Sequence, residues 1–431
     1  MKKSIALICA LLLVFCSMPV FASEVIPAAT AARTTLLDLS STTSSTSSTA
    51  QGWVYSPTGN NGSPKLTLNS YGLASAHSAP IKLAPNTLIV VNGDCYIDNV
   101  YMNEKYDVIS AACNGYLKIE GTGTLNLYAN QFQGNCINKE SGSASNHNDD
   151  LIIDGVTVNC FNTPHDMNTA FSNGACIYAY KSITIRNAVI NAQYGRWGVR
   201  IWGETPIGGV TEDTADEILI ENSTVNIENQ VEDNGTKYET GIEATFGRVR
   251  VTGDSHVNIH AGHNSIYAYL SLVLEGGTLD VSSRPVGSGE SYPLVSCDKF
   301  VVNNGVSHVR IAATKYPLTC VLKCKSEGVS VLGSELSMVY GTFSDGNYTP
   351  GTDPSTGLPV LEISGGSAGL LGDVNCDGVV DMADVSALSA YLLGKAVLTP
   401  QGIINAEASG NGIVDSSDIS AVYQLIFSKQ N

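Results

Sequence analysis

The chain has 431 residues, room for more than one domain, and carries 23 Lys and Arg against 40 Asp and Glu, a formal charge of −17. No basic patch is available to neutralise phosphates, which excludes nucleic acid as a partner. Carboxylates at this density suit solubility and hard divalent cations instead.

The chain opens as a secretory signal does. Lys2 and Lys3 precede an apolar run over residues 5–15, and Val20-Phe21-Ala22 supplies small residues ahead of a cut. The run is too short to cross a bilayer, so a cleaved signal over residues 1–22 is expected rather than a retained anchor. No later stretch reads as a membrane helix. The expectation is a secreted, extracellular protein without membrane insertion, released or held at a surface through a partner. Without the signal the balance is 21 basic to 40 acidic residues, or −19. Nine cysteines remain: Cys95, Cys113, Cys136, Cys160, Cys176, Cys297, Cys320, Cys324 and Cys376. Their spacing matches no zinc pattern, and they read as small buried hydrophobes with no disulfide connectivity fixed.

Residues 23–51 end in ten consecutive Ser or Thr at 40–49, a composition expected to form a flexible linker. From Gly52-Trp53 onward the chain repeats one phrase: a short alternating strand, a Gly or Asn turn, a second short strand. It appears as Leu117-Lys118-Ile119-Glu120-Gly121, Leu151-Ile152-Ile153-Asp154-Gly155, Ile183-Thr184-Ile185-Arg186-Asn187 and Ile218-Leu219-Ile220-Glu221-Asn222. The matching residues Ile153, Ile185, Ile220, Val251, Leu274 and Val302 are 32, 35, 31, 23 and 28 residues apart. Repeats of this length, made of strands and turns alone, predict a solenoid. Alternation puts the aliphatic residues inward, and stacked coils predict inner aliphatic ladders with Asn ladders at the corners. The fold class expected is mainly β: a right-handed parallel β-helix over residues 52–345, then a small all-α unit. Spacing does not fix strand direction, so an antiparallel sandwich of the same strands stays open. Residues 346–370, rich in Gly, Pro, Ser, Thr and Asp, read as a second linker, with one strand possible at Val360-Leu361-Glu362-Ile363.

Residues 371–431 carry the strongest signal. Asp373, Asn375, Asp377, Asp381 and Asp384 place oxygens at positions 1, 3, 5, 9 and 12 of a loop with Gly378 at position 6, and Val379 supplies a carbonyl at 7. Calcium needs six to eight oxygens around one point, and this spacing wraps them there. A second copy lies 34 residues on: Glu407, Ser409, Asn411, Ile413, Asp415 and Asp418. The helices that follow repeat too, with Val385, Leu388, Tyr391 and Leu392 matching Ile419, Val422, Leu425 and Ile426 on one face each. These duplicated loop–helix units, with Asp at position 12, resemble a dockerin domain of type I. The resemblance implies two calcium ions, a cohesin module of a scaffoldin as partner, and a place in a cellulosome. It also implies that positions 10 and 11, here Met382-Ala383 and Ser416-Ser417, face the cohesin. The second loop keeps three carboxylates where the first has four, so weaker calcium binding is expected there.

The Gly52-Trp53 start, Lys65-Leu66-Thr67-Leu68-Asn69 and the repeated strand phrases resemble carbohydrate-binding β-helix domains in surface proteins of gut anaerobes. The implied ligand is plant-wall polysaccharide. In Arg196-Trp197-Gly198-Val199-Arg200-Ile201-Trp202, an extended chain puts Trp197, Val199 and Ile201 on one face and Arg196, Arg200 and Trp202 on the other. That second face is the candidate sugar site. β-Helices also carry pectin-degrading enzymes, so a polysaccharide lyase or glycoside hydrolase is the alternative. Asp149-Asp150 alone cannot flank one glycosidic bond, and Gly262-His263 and Arg200-Ile201-Trp202 only echo polygalacturonase motifs in the wrong order. Arg196 or Arg200 beside Asp149, Asp150 or Asp213 is the lyase arrangement to look for. His256, Asn258 and His260 point outward, and the histidines sit too far apart along a strand to share one zinc.

Overall fold

A computed structural model describes residues 36–75, 79–99, 107–112, 114–129, 134–140, 150–162, 174–193, 195–203, 211–212, 215–229, 240–261, 264–283, 293–313, 321–331, 336–344, 347–364, 371–376, 379–396, 398, 400–409 and 414–428. Its main body is a parallel β-helix. One coil consists of the strands Ile183–Arg186, Val189–Gln193 and Trp197–Ile201, and the next of Asp216–Glu221, Thr224–Glu228 and Thr240–Ala244. Each strand pairs in parallel with its counterpart one coil on, which gives three sheet faces. The parallel register sets aside the antiparallel sandwich.

The repeat residues lie in one inward column. Leu66, Ile89, Ile119, Ile153, Ile185, Ile220, Val251, Leu274 and Val302 are successive register partners, and each is at most 1% exposed. A third-face column runs Leu37, Ile81, Ile109, Ile137, Ile177, Val199, Ile242, Ile266. Burial of such columns is the main favourable term in a solenoid.

Asparagine occurs in two distinct roles. At the corner after the first strand, Asn187 and Asn222 have φ of 48° and 45°, where other coils use Gly155 and Gly253 at 71° and 64°. That left-handed position is open to Gly and tolerated by Asn. The amide ladder is elsewhere, at mid-strand on the outer side of the second face. Asn126, Asn159, Asn191, Asn226 and Asn258 are register partners. Each Nδ2 from Asn159 onward donates to the preceding Oδ1, at 2.8, 2.7, 2.9 and 2.9 Å. At the corner one amide pair forms, Asn92 Nδ2 donating to Asn69 Oδ1 at 2.9 Å, but the long ladder is on a flat face, where amides one coil apart meet directly.

Both expected linkers are partly built into the body. In the first, Leu37–Asp38 pairs with Ile81–Lys82, Leu37 and Leu39 join the core, and Thr46–Ser48 pairs antiparallel with the strand Trp53–Asn60. The Tyr55 hydroxyl donates to the Thr42 carbonyl at 3.2 Å. Two leucines and a tyrosine anchor the Ser/Thr run, which composition alone could not reveal. In the second, Pro359–Ser364 includes the suspected strand and pairs antiparallel with Val306–Ala312, while Ser337–Tyr340 pairs with it in turn. Arg310 ties this cap together by bonding both Asp353 and Glu362. Antiparallel strands thus cover the end of the second face, which otherwise presents unpaired backbone groups. The signal region 1–22 lies outside the described residues.

The described residues of the C-terminal unit form the helices α1 (Met382–Leu392), α2 (Pro400–Ala406) and α3 (Ser416–Ser428). Val385, Leu388 and Val422 are buried with Val374 and Val380, and Tyr391, Leu392, Ile419, Leu425 and Ile426 pack against them. All eight residues expected to face inward on the two repeated helices are in this cluster. No helix among the described residues is long and apolar enough to cross a membrane.

Candidate functional site

The described residues of the two acidic loops make the same set of hydrogen bonds. In the first, the Asp384 carboxylate is fully buried. Its Oδ1 accepts from the Asn375 N–H at 3.0 Å and its Oδ2 from the Asp381 N–H at 2.8 Å. Asp381 in turn accepts from the Ala383 N–H at 2.7 Å and caps α1. In the second, Asp418 is fully buried and accepts from Ser409 and Asp415 N–H groups, both at 2.8 Å. Asp415 accepts from the Ser417 N–H at 2.7 Å. Each position-12 aspartate thus holds positions 3 and 9 of its own loop together.

The loops differ in their surroundings. The first is braced by α2: Asn405 Nδ2 donates to the Asp373 carbonyl at 2.6 Å, and the Gly372 N–H donates to the Asn405 carbonyl at 2.8 Å. Asp373 is buried, whereas Glu407 at the matching position of the second loop is half-buried. The expected ligands Asp377, Asn411 and Ile413 lie outside the described residues. Among the described residues, no three His, Cys, Asp or Glu side chains converge as a metal site. The donor types that are described, carboxylate, amide and hydroxyl oxygens, fit a hard cation such as calcium. A fully buried carboxylate also calls for a balancing charge. Positions 10 and 11 are on the surface in both copies: Met382 is 50% exposed, and Ala383, Ser416 and Ser417 are exposed.

A second constellation lies at the third face of the β-helix. Arg200 and Trp202 point outward as expected, but Trp197 does not share a face with Val199 and Ile201. The inner position is taken by Gly198, where a Cβ would meet Ile227 and the Gly241 carbonyl. Alternation breaks at that glycine, with Gly198 and Val199 both buried, and the Trp197 ring has the Arg200 guanidinium 4.0 Å and that of Arg196 4.4 Å from its centre. Arg200 also lies over Trp202 at 5.1 Å and Tyr178 at 6.0 Å.

The carboxylate beside Arg200 comes from the next coil. Glu243 is the register partner of Arg200 and pairs with its Nε at 3.3 Å. It also accepts from the Trp197 indole N–H, and from the Thr245 hydroxyl at 2.8 Å. Trp202, 40% exposed, meets Phe246 edge-on at 5.9 Å, and Phe246 meets Tyr269 at 5.8 Å. Rings from successive coils thus line one corner of the solenoid. Glu243, Phe246 and Tyr269 were not singled out from sequence. Aligning Thr240-Gly241-Ile242-Glu243-Ala244 under Trp197-Gly198-Val199-Arg200-Ile201 by their shared glycine would have found the pair.

Of the residues considered for catalysis, Asp149, Asp213, Gly262 and His263 lie outside the described residues. His256 and His260 bond separate hydroxyls, Thr278 at 2.9 Å and Ser282 at 2.8 Å. Cys113 and Cys320 are also outside the described residues. Cys95, Cys136, Cys160, Cys176 and Cys297 are buried, and Cys376 is exposed.

Residues 371–426 match the family model described as the dockerin type I domain. No curated protein and no solved structure matches the chain.

Proposed function

We propose that this protein is a secreted component of a cellulosome, docked through its C-terminal unit to a cohesin module of a scaffoldin. The observation that carries this reading is the dockerin type I match over residues 371–426 together with the identical hydrogen-bonding of Asp384 and Asp418 in the two loops. Calcium is held by Asp373, Asn375, Asp377, Asp381, Asp384 and the Val379 carbonyl in the first loop, and by Glu407, Ser409, Asn411, Asp415, Asp418 and the Ile413 carbonyl in the second. The ions supply charge balance for buried carboxylates and fix the helices that present Met382-Ala383 and Ser416-Ser417. Titration of the full chain against a panel of cohesins, with calcium and with a chelator, tests this. Calcium-dependent binding is expected, and failure to bind any cohesin in saturating calcium overturns the reading.

The β-helix then serves as the cargo, binding plant-wall polysaccharide at the corner lined by Trp202, Arg200, Arg196 and Tyr269. Exposed rings stack on sugar faces and guanidinium groups donate to ring hydroxyls or carboxylates. One observation favours a catalytic alternative, a lyase or glycoside hydrolase: Arg200 and Glu243 from neighbouring coils meet in one place. Against it, Glu243 is already engaged by Trp197, Thr245 and Arg200. Assays for reducing ends and unsaturated products on wall polysaccharides separate the two. Product formation lost on Glu243→Gln supports the enzyme, and glycan binding without product supports the binding module.

A further inference from the structure

The strands Val295–Val302 and Leu322–Val331 form the third-face and first-face strands of adjacent coils. Cys297 and Cys324 are direct register partners across them, with sulfurs 3.9 Å apart. Parallel neighbours stand about 4.8 Å apart at the backbone, inside the Cα range of roughly 4.4–6.8 Å that a disulfide spans. Bonding needs the sulfurs to close from 3.9 Å to about 2.05 Å, by rotation about the side-chain bonds and a small approach of the two strands.

The two thiols are unequal. Cys297 is fully buried in the core, while Cys324 is half-buried at its margin. The contact between the two sulfurs holds the Cys324 thiol below its ordinary range and, with burial, pushes Cys297 well above. Cys324 is therefore the accessible, more nucleophilic member, and Cys297 is placed to resolve what forms on it.

We propose that Cys297 and Cys324 are an oxidation site, closing a disulfide that staples the coil containing residues 322–331 to the coil before it. The oxidant is a low-molecular-weight disulfide. The Cys324 thiolate attacks one of its sulfurs, forming a mixed disulfide and releasing one small thiol. Cys297 then gives up its proton and attacks the Cys324 sulfur, releasing the second small thiol. Two protein thiols become one disulfide, and one small disulfide becomes two small thiols. The crosslink removes freedom from the unfolded chain at the end of the solenoid, where the coil has fewer parallel neighbours to hold it. This inference is independent of the docking and glycan readings.

The test is to equilibrate the full chain with glutathione disulfide, unfold it, alkylate the remaining thiols and map peptides without reduction. The expected result is loss of alkylation at Cys297 and Cys324 together, and one crosslinked peptide pair that dithiothreitol separates. Oxidised protein should melt at a higher temperature than reduced protein. The Cys297→Ser variant should stop at a glutathione adduct on Cys324. Full alkylation of both residues in the oxidised wild type, or a lasting glutathione adduct on its Cys324, overturns the proposal. Cys324→Ser, at the half-buried position and so the milder change, must abolish the crosslink; a Cys297 crosslink to another cysteine in that variant also overturns it.

Discussion

Asp384 and Asp418, 34 residues apart, make the same pair of bonds, each joining the N–H of the third loop residue to that of the ninth. The shared geometry exists although the loops differ at positions 1, 3 and 5 and although only the first is braced by Asn405. The aspartates are thus the fixed points of the duplicated unit, and the variable positions tune what each loop holds.

Replacing either aspartate separates these contributions. Asp384→Ala removes the charged acceptor shared by two partly buried N–H groups and should destabilise the C-terminal unit by about 1–3 kcal/mol before any metal effect. It should also abolish the tighter of two calcium-binding events in calorimetry. Asp418→Ala should abolish the weaker one, because its loop has fewer carboxylates and Glu407 is half-buried rather than buried. Two equally tight events in the unaltered chain would show that the carboxylate count does not set the order.

Recognition should be carried mainly by one half. Met382 is an exposed apolar side chain, whereas Ser416 and Ser417 offer only hydroxyls and Ser417 already donates to Asp415. An apolar anchor at an interface centre outweighs small polar contacts. Met382→Glu is therefore expected to weaken cohesin binding by tenfold or more, about 1.4 kcal/mol. Ser416→Ala with Ser417→Ala should change it by less than that. Equal losses from both halves, measured by calorimetry in saturating calcium, would point to interchangeable orientations instead.

Trp197 and Trp202 should respond differently to truncation. Trp202 is 40% exposed, so Trp202→Ala should lose glycan binding while lowering the melting temperature less than Trp197→Ala does. Trp197 is contacted by two guanidinium groups and bonded to Glu243, so Trp197→Ala should lower the melting temperature more. Binding on a polysaccharide panel, read beside thermal melts, tests both. Unchanged glycan affinity in Trp202→Ala would move the binding surface elsewhere.

Much of this was legible in the sequence because the repeat is physical. Ile153, Ile185, Ile220, Val251, Leu274 and Val302 fall in one column since a solenoid places equivalent residues above one another whatever the loop lengths. The loop spacing likewise makes Asp384 and Asp418 equivalent positions, and their burial and bonds match. What escaped was information held between coils or in breaks of alternation. Glu243 reaches Arg200 only through the register of the next coil. Trp197 leaves the inner face because Gly198 and Val199 are both buried, a break that strict alternation does not foresee. The Ser/Thr run was misjudged because Leu37 and Leu39, just before it, bring it onto the core.

The asparagine ladder should be intolerant of interruption at its centre. Asn191 donates to Asn159 and accepts from Asn226, so Asn191→Ala strands an acceptor on one side and a donor on the other. The expected cost is about 1–3 kcal/mol. Asn191→Asp keeps the acceptor but sets a carboxylate against the Asn159 carbonyl, and should be worse at neutral than at acid pH. Thermal melts of the two variants at both pH values give the comparison. Equal melting of Asn191→Ala and the unaltered chain would show that water replaces the ladder without loss.

The cap over the second face should loosen in acid. Burial pushes the Asp353 carboxyl up, but hydrogen bonds from Ser355 and the Arg310 guanidinium outweigh it and hold the group at about 2. An acid whose folded value lies below its unfolded value near 3.8 stabilises the fold above that unfolded value. The contribution is lost as pH falls from there through about 2, and amounts to about 2 kcal/mol when fully present. Arg310 also bonds Glu362 on the strand Pro359–Ser364, so protonating Asp353 weakens the tie between that strand and Val306–Ala312. Hydrogen exchange in these two strands should accelerate between roughly pH 4 and 2 beyond what intrinsic chemistry gives. Asp353→Asn should show fast exchange already at pH 7 and a flat acid response. If the variant keeps the acid response of the unaltered chain, another carboxylate controls the cap, and Glu362, on the other branch of the same guanidinium, is the next to replace.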